Sequence, residues 1–436
     1  MKLLSRLKPT ARTMRRGLSL VALLVLPVTG YALEESQWNR VLSALQAGEA
    51  EAVRQLSGED RTILQAALAL KSNRPAEVLL LLNDAGVEDP LAALLQAEAH
   101  RREAVQAVQK AGNYAHGMEK QEKLLASADL SSGLREADVR LNAFMDKLDA
   151  VNGLPLDVLL PGGDVANVFM VDKARSRMFV FARGEDGKLT RIADEYVVTG
   201  SAAGDKTVEG DGRTPNGVYR FVKKLQGPAL EARYGPVAFP IDYPNELDQL
   251  HGKNGHGIWM HGYPVDVQRR PPQDTRGCFS LPNPRLMAMA DLVSLGKSWV
   301  IVGRNFQFGH DEEKQQLLQS VRDALESWRQ DWMSLNSDAY LTHYHAAFRS
   351  GKRDLKAWKR YKKRVNSSKT FINVDFEHLN VIHDPNGWPE GEVVVAEFDQ
   401  NYRSSNYADQ GRKRVYLARA SKQSPWQILL EESVKQ

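Results

Sequence analysis

The single cysteine of this 436-residue chain, Cys278, lies 17 positions after a His-Gly pair, His261-Gly262. A thiol and an imidazole make a nucleophile together. The ring takes the thiol proton, stabilises the thiolate, and later returns the proton to a leaving amine. The flanks Thr275-Arg276-Gly277-Cys278 offer the remaining parts. Gly277 lets the chain turn tightly enough to aim its own amide and that of Cys278 at one point, as an oxyanion hole requires, and each such donor is typically worth about 3 to 4 kcal/mol. Arg276 would set a cation beside the thiol and help keep it ionised, or draw in an anionic substrate; a plain surface arginine is the competing reading. A buried, inert cysteine near an unrelated core histidine is the bland alternative, and these flanks outweigh it.

The elements around the pair must bring them to one face. Ile258 to His261 reads as a strand, so Trp259 and His261 share one side while His256 and Met260 take the other. One histidine can therefore serve the cysteine, and His261 is the expected base. Asp266 to Asp274 holds Pro271-Pro272 and reads as the loop that returns the chain to Cys278. Phe239 to Asn245, with Tyr243 in it, is rich in aromatic and turn residues and reads equally as a groove wall or as ordinary loop packing. His251, His256 and His261 are spaced by five, which alternates faces on a strand and does not converge on a metal.

Lys2, Arg6, Lys8, Arg12, Arg15 and Arg16 precede an apolar run from Gly17 to Val28 and the small-residue stretch ending at Ala32, the pattern of a secretory signal peptide over residues 1–32. Removing these six cations and no acids from a formal charge of +4 leaves −2. The basic balance thus belongs to the targeting segment, and no nucleic-acid partner is implied. An odd cysteine in an exported chain is reactive or intermolecular, since it has no internal partner. Residues 33–152 carry apolar positions three and four apart in Ala- and Leu-rich sequence, a helical module suited to docking a protein partner or to self-association. Asn152 to Asp164 reads as a linker. Val168 to Asp172 and Met178 to Phe181 flank a hairpin turn, Glu195 to Thr199 and Val218 to Val222 read as strands, and Gly200 to Gly217 as a glycine-rich loop of tight turns. A short helix follows Pro284, and Trp299 to Val302 is expected to close the sheet.

His261-Gly262 followed by Thr275-x-Gly277-Cys278 resembles the signature of the L,D-transpeptidase, or YkuD, catalytic domain. The stretch Gly210 to Tyr219, containing Thr214-Pro215-Asn216-Gly217-Val218-Tyr219, is similar to a second motif of that family. The chain departs from the common pattern at Arg276, where many members carry His, and at Ser280, where many carry Arg or Asn; nucleophile and base are intact. The resemblance covers residues 165–304. It implies a β-rich domain in the periplasm or cell envelope acting on peptidoglycan stem peptides, with no metal or organic cofactor. Cys278 would be nucleophile and His261 general base and acid, Gly277 would supply an oxyanion-hole amide, and Thr275, Arg276, Gly262 and Tyr243 would lie on the substrate side. Cys278 would attack the third residue of a tetrapeptide stem, expel D-alanine and leave a thioester. An amine then gives an L,D cross-link; water gives a trimmed tripeptide, the L,D-carboxypeptidase outcome. A wall-binding scaffold with an inert thiol is the rival from another class.

Residues 305–322 are expected to form a connecting helix. Residues 323–436 resemble the nuclear-transport-factor-two-like, or SnoaL-like, α+β cone, with Trp328, Trp332, Tyr340, Tyr344 and Phe348 at helical spacings followed by strands. The combination is similar to cell-shape-determining L,D-carboxypeptidases. His343, His345 and Asp375 could suggest a second site, against an accessory role as the default. Arg349 to Lys369 holds ten Lys or Arg and one acid, Asp354. A solvated helix face is the default there, a patch for an anionic partner the second reading, with Trp358 and Tyr361 offered either to sugars or to the core.

Overall fold

A computed structural model of the chain describes residues 58–85, 92, 95–103, 139, 154–163, 165–184, 189–267, 270–309 and 312–434. The expected signal peptide and most of the helical module lie outside the described residues. Within that module, α1 (Gly58–Lys71) and α2 (Pro75–Ala85) form a helical hairpin. Ile63, Leu64, Ala67 and Leu70 face Val78 and Leu82, with alanines keeping the helices close. Asn73 takes the left-handed turn between them and Pro75 opens α2, where its missing amide costs nothing.

The domain that contains Cys278 is built on β1 (Asn167–Asp172), β2 (Arg177–Arg183), β3 (Leu189–Tyr196), β4 (Gly217–Arg220), β5 (Val237–Pro240), β6 (Trp259–His261), β7 (Phe279–Ser280) and β8 (Trp299–Gly303). A five-stranded sheet runs β3-β2-β1-β8-β4. β8 is parallel to β1 and antiparallel to β4, so it lies inside the sheet and does not close its edge. Its residues Trp299 to Val302 are almost fully buried, which is why the run is continuously apolar. A second sheet runs β7-β6-β5 and ends on Leu225–Gln226. Between the sheets Phe169, Tyr219, Phe221, Phe239, Met260 and Phe279 form the core. Helix α3 (Glu246–Leu250) starts on a capping box of Asn245 and Asp248, and α4 (Asn283–Ala290) follows Pro282.

The C-terminal domain holds α5 (Glu312–Met333), α6 (Ser337–Thr342), α7 (Leu355–Asn366) and strands β9 (Tyr344–Ser350), β10 (Ile372–His383), β11 (Glu392–Ser404), β12 (Ala408–Arg419) and β13 (Gln427–Val434). Its sheet order is Arg353–Asp354, β9, β13, β12, β11, β10 and Val158–Leu160. Three expectations are corrected here. The segment read as a connecting helix and the first helix of the cone are one helix, because Leu318, Val321, Leu325, Trp328 and Trp332 keep a single buried stripe. The segment read as a linker contributes Val158–Leu160 as an edge strand on β10. Tyr344 and Phe348 lie on a strand, not a helix. In α7, Trp358 and Lys362 turn inward while Lys356, Lys359, Arg360, Lys363 and Arg364 stay exposed, so Trp358 belongs to the core.

The two domains share a buried ionic junction. Glu397 accepts hydrogen bonds from Arg220 at 2.7 Å, Arg412 at 2.7 Å and Arg414 at 2.9 Å. Burial alone would raise the Glu397 pKa, but Arg220, Arg414 and Arg412 hold it at about 2. Arg414 also reaches Asp242 at 3.4 Å, and Asp242 accepts the Arg220 amide at 2.7 Å.

Candidate active site

β6 and β7 run in parallel with Met260 opposite Phe279 and His261 opposite Ser280. Met260 and Phe279 are fully buried in the core. Alternation therefore turns His261 and Ser280 to the other side, and Cys278, one step before Phe279, to that same side. His261 is 5% exposed and its Nδ1 lies 2.6 Å from the Gly262 carbonyl. A carbonyl only accepts, so Nδ1 carries a proton, and in the neutral form of the ring the lone pair is then on Nε2, the atom that can take a proton from a thiol. The ring is further confined by Tyr234, edge-on with centroids 5.1 Å apart, and Tyr234 leans on Trp259 at 4.7 Å.

Backbone contacts fix this arrangement. The Gly262 amide donates to Tyr234 O at 2.9 Å, and Ser280 Oγ donates to Gly262 O at 3.0 Å. The Asn283 side chain accepts from Tyr263 N at 2.8 Å and donates to Tyr263 O at 3.0 Å. A Cβ at position 262 would come within 2.1 Å of Asn283 Oδ1, so only glycine lets the Asn283 side chain at the start of α4 close on this backbone.

Cys278 is half-buried, and its thiol donates to Gly257 O at 3.3 Å. A carbonyl acceptor favours the neutral thiol over the thiolate. The Cys278 carbonyl accepts Thr275 Oγ1 at 2.6 Å and Thr214 Oγ1 at 3.4 Å, and Thr214 Oγ1 accepts the Gly200 amide at 2.8 Å. Behind them Lys173 Nζ donates to the carbonyls of Gly204 at 2.6 Å and Thr214 at 2.5 Å, and burial pulls its pKa down to about 8. Gly277 has φ +130°, and a Cβ there would meet Arg213 O at 2.8 Å.

Several expected roles land elsewhere. The Gly277 amide donates to Thr275 Oγ1 at 3.1 Å, so it is spent on the turn and does not point at an oxyanion. Thr275 is buried and shapes that turn instead of facing substrate. Gly262 serves the His261 clamp through its backbone. Tyr243 is a core residue, its hydroxyl donating to Asn254 O at 3.0 Å and its ring against Tyr219, so it lines no groove. Arg276 is exposed. His256 is 80% exposed with Nδ1 3.5 Å from Glu209, and His251 contacts Glu390 at 3.2 Å, so the three histidines do not converge. In the cone, His343 pairs with Asp331 at 2.7 Å while Asp375 lies 3.7 Å from Arg329 on the surface. His345 Nδ1 accepts the Ala347 amide, and these three do not form one site. Sequence reasoning missed Asn283, Tyr234 and Gly257; Thr214 lay within a quoted motif, without a role.

The fold and this arrangement define an L,D-transpeptidase-type catalytic domain joined to an NTF2-like domain. The L,D-transpeptidase catalytic domain model, YkuD, matches residues 166–302, and the Cds6 C-terminal NTF2-like domain model matches residues 320–432. The helical cell shape determining protein Pgp2 from Campylobacter jejuni is 30% identical with TM-score 0.55, over 64% of this chain and 96% of that one. Bd1075 from Bdellovibrio bacteriovorus is 26% identical with TM-score 0.56, over 65% of this chain and 99% of that one. No curated protein sequence matches. The chain belongs to the YkuD L,D-transpeptidase family, in its form with a C-terminal NTF2-like domain.

Proposed function

We propose that the protein is an exported peptidoglycan-modifying cysteine enzyme working in the cell envelope on tetrapeptide stems. The observation that carries this reading is the shared face of Cys278 and His261, with Nδ1 of His261 donating to Gly262 O, which in a neutral ring assigns the basic lone pair to Nε2. His261 Nε2 removes the Cys278 proton, and Sγ attacks the carbonyl carbon of the third stem residue. The bond to D-alanine breaks, His261 returns the proton to its amine, and a thioester remains. An acceptor amine then takes the acyl group, releasing Sγ. Incubation of the mature chain with defined tetrapeptide muropeptides tests this: D-alanine and a cross-linked dimer are expected, and unaltered tetrapeptide overturns it.

Hydrolysis is the second reading, in which water takes the place of the amine. It is favoured by the domain combination, similar to cell-shape-determining L,D-carboxypeptidases, and by Pgp2 being a cell shape determining protein. Tripeptide and D-alanine without dimer, at high acceptor concentration, would make this the enzyme's reaction.

A further inference from the structure

The hairpin loop between β10 and β11 carries Trp388 and Glu390 from the C-terminal domain onto the segment 251–258, which ends against the thiol. The His251 ring stacks on Trp388 with centroids 4.7 Å apart, and its Nε2 lies 3.2 Å from Glu390. Burial lowers the His251 pKa, against the opposing pull of Glu390. Lys253 Nζ sits 4.3 Å from the centre of the Trp388 ring and is held by Asp205 at 2.7 Å and Asp248 at 3.0 Å. Next in the chain, Asn254 donates its amide to Thr207 O at 3.1 Å, accepts from Glu209 N at 2.8 Å, and receives the Tyr243 hydroxyl at 3.0 Å. Three residues further on, the Gly257 carbonyl accepts the Cys278 thiol.

We infer that Trp388 is a positioning residue for the nucleophile: by gripping His251 and Lys253 it holds the Gly257 carbonyl against Cys278, so the C-terminal domain sets the resting state of the thiol. This rests on the reading of Cys278 as the nucleophile. The 251–258 segment has no regular secondary structure of its own, and its glycines at 252, 255 and 257 have positive φ; backbone hydrogen bonds hold it at 251–254 and at Ile258, and side-chain anchors complete its placement. Two of those anchors, His251 and Lys253, share the Trp388 ring. Freed from Gly257 O, the thiol loses a partner that favours its neutral form.

The test is the pH midpoint of iodoacetamide alkylation on the full chain, which reads the one cysteine whether or not it turns over substrate. Trp388→Ala is expected to lower the midpoint by about 0.5 unit or more, and Trp388→Phe, which keeps a ring on His251, to restore it. Circular dichroism checks folding; if Trp388→Ala does not fold, His251→Ala, which removes the stacked partner from the other side, carries the test with the same expected shift. A midpoint in the folded variants equal to or above that of wild type overturns the inference and leaves the peptidoglycan reading standing. Absence of D-alanine release from wild type, with the midpoint shifted in the variants, does the reverse.

Discussion

The turn at Cys278 and the interior of the C-terminal cone both gather reactive or titratable side chains, and they differ in what those groups touch. At the turn, hydroxyls and the imidazole are spent on backbone carbonyls: Thr275 and Thr214 hold Cys278 O, and His261 holds Gly262 O. The thiol itself stays half-exposed. In the cone the groups satisfy each other. Glu431, 3% exposed, accepts from Lys413 at 2.5 Å and from the Tyr344 hydroxyl at 3.2 Å, and Tyr344 bonds Tyr340 and accepts from Trp328 at 3.2 Å. Lys362 lies over Trp332 at 4.4 Å and Trp358 at 4.6 Å, and burial draws its pKa down to about 8. A cluster of titratable residues is thus not yet a site. In one region the scaffold orients a group toward solvent; in the other the groups are the scaffold.

Substitutions at the turn should therefore change chemistry, and those in the cone should change stability. The largest effect is expected from Cys278→Ala, which removes the proposed nucleophile: turnover and acylation by carbapenems fall to background while circular dichroism is unaltered. Retained turnover would dissolve the contrast. Next, His261→Ala slows acylation by roughly 10²- to 10⁴-fold, the usual contribution of a general acid-base group, while exposed His256→Ala changes it little. Equal losses at the two positions, measured by single-turnover kinetics, would move the base to the other histidine.

In the cone, Glu431→Ala leaves Lys413 without its buried partner and should cost about 3 to 5 kcal/mol in denaturant unfolding, with activity per folded molecule unchanged. The edge of the C-terminal sheet, where Val158–Leu160 pairs with β10, offers a milder probe. His383 lies 3.0 Å from Asp157 and 3.3 Å from Glu392; burial would lower its pKa, but these hydrogen bonds raise it from 6.5 to about 9. A raised imidazole pKa stabilises the fold fully below pH 6.5, and that contribution is lost as pH rises toward 9. Denaturation from pH 6 to 9 should show wild type losing its advantage over His383→Gln; a difference that does not vary with pH would remove His383 from the account. Smallest is Arg276→Gln, expected to reduce kcat/KM a few-fold at low salt and less at high salt, as an exposed cation should. No change at either salt would leave Arg276 a plain surface residue.

The shared face of Cys278 and His261 was legible because strand alternation and a return loop narrow the choices, and the β1–β2 hairpin because its alternation is local. What was hidden depends on distant partners. Glu397 meets Arg220 across 177 positions, and Val158–Leu160 finds its strand only when β10 forms. Tyr344 and Phe348 misled for a simpler reason: a spacing of four falls on one face of a helix and equally on one face of a strand. The assignment of the Gly277 amide to an oxyanion overlooked that the Thr275 hydroxyl sits two residues away, close enough to capture it. Tyr243 shows the same limit, since an aromatic in a proline-rich loop reads alike whether it faces a groove or the core.

The central claim is a thioester on Cys278, and acid-quenched mass spectrometry of the wild-type chain mixed with tetrapeptide stem tests it most directly. The account predicts a transient adduct on the peptide containing Cys278, equal in mass to the stem less D-alanine and lost on treatment with hydroxylamine. D-alanine released at the normal rate with the Cys278 peptide never modified, or release that persists in Cys278→Ala, would contradict it.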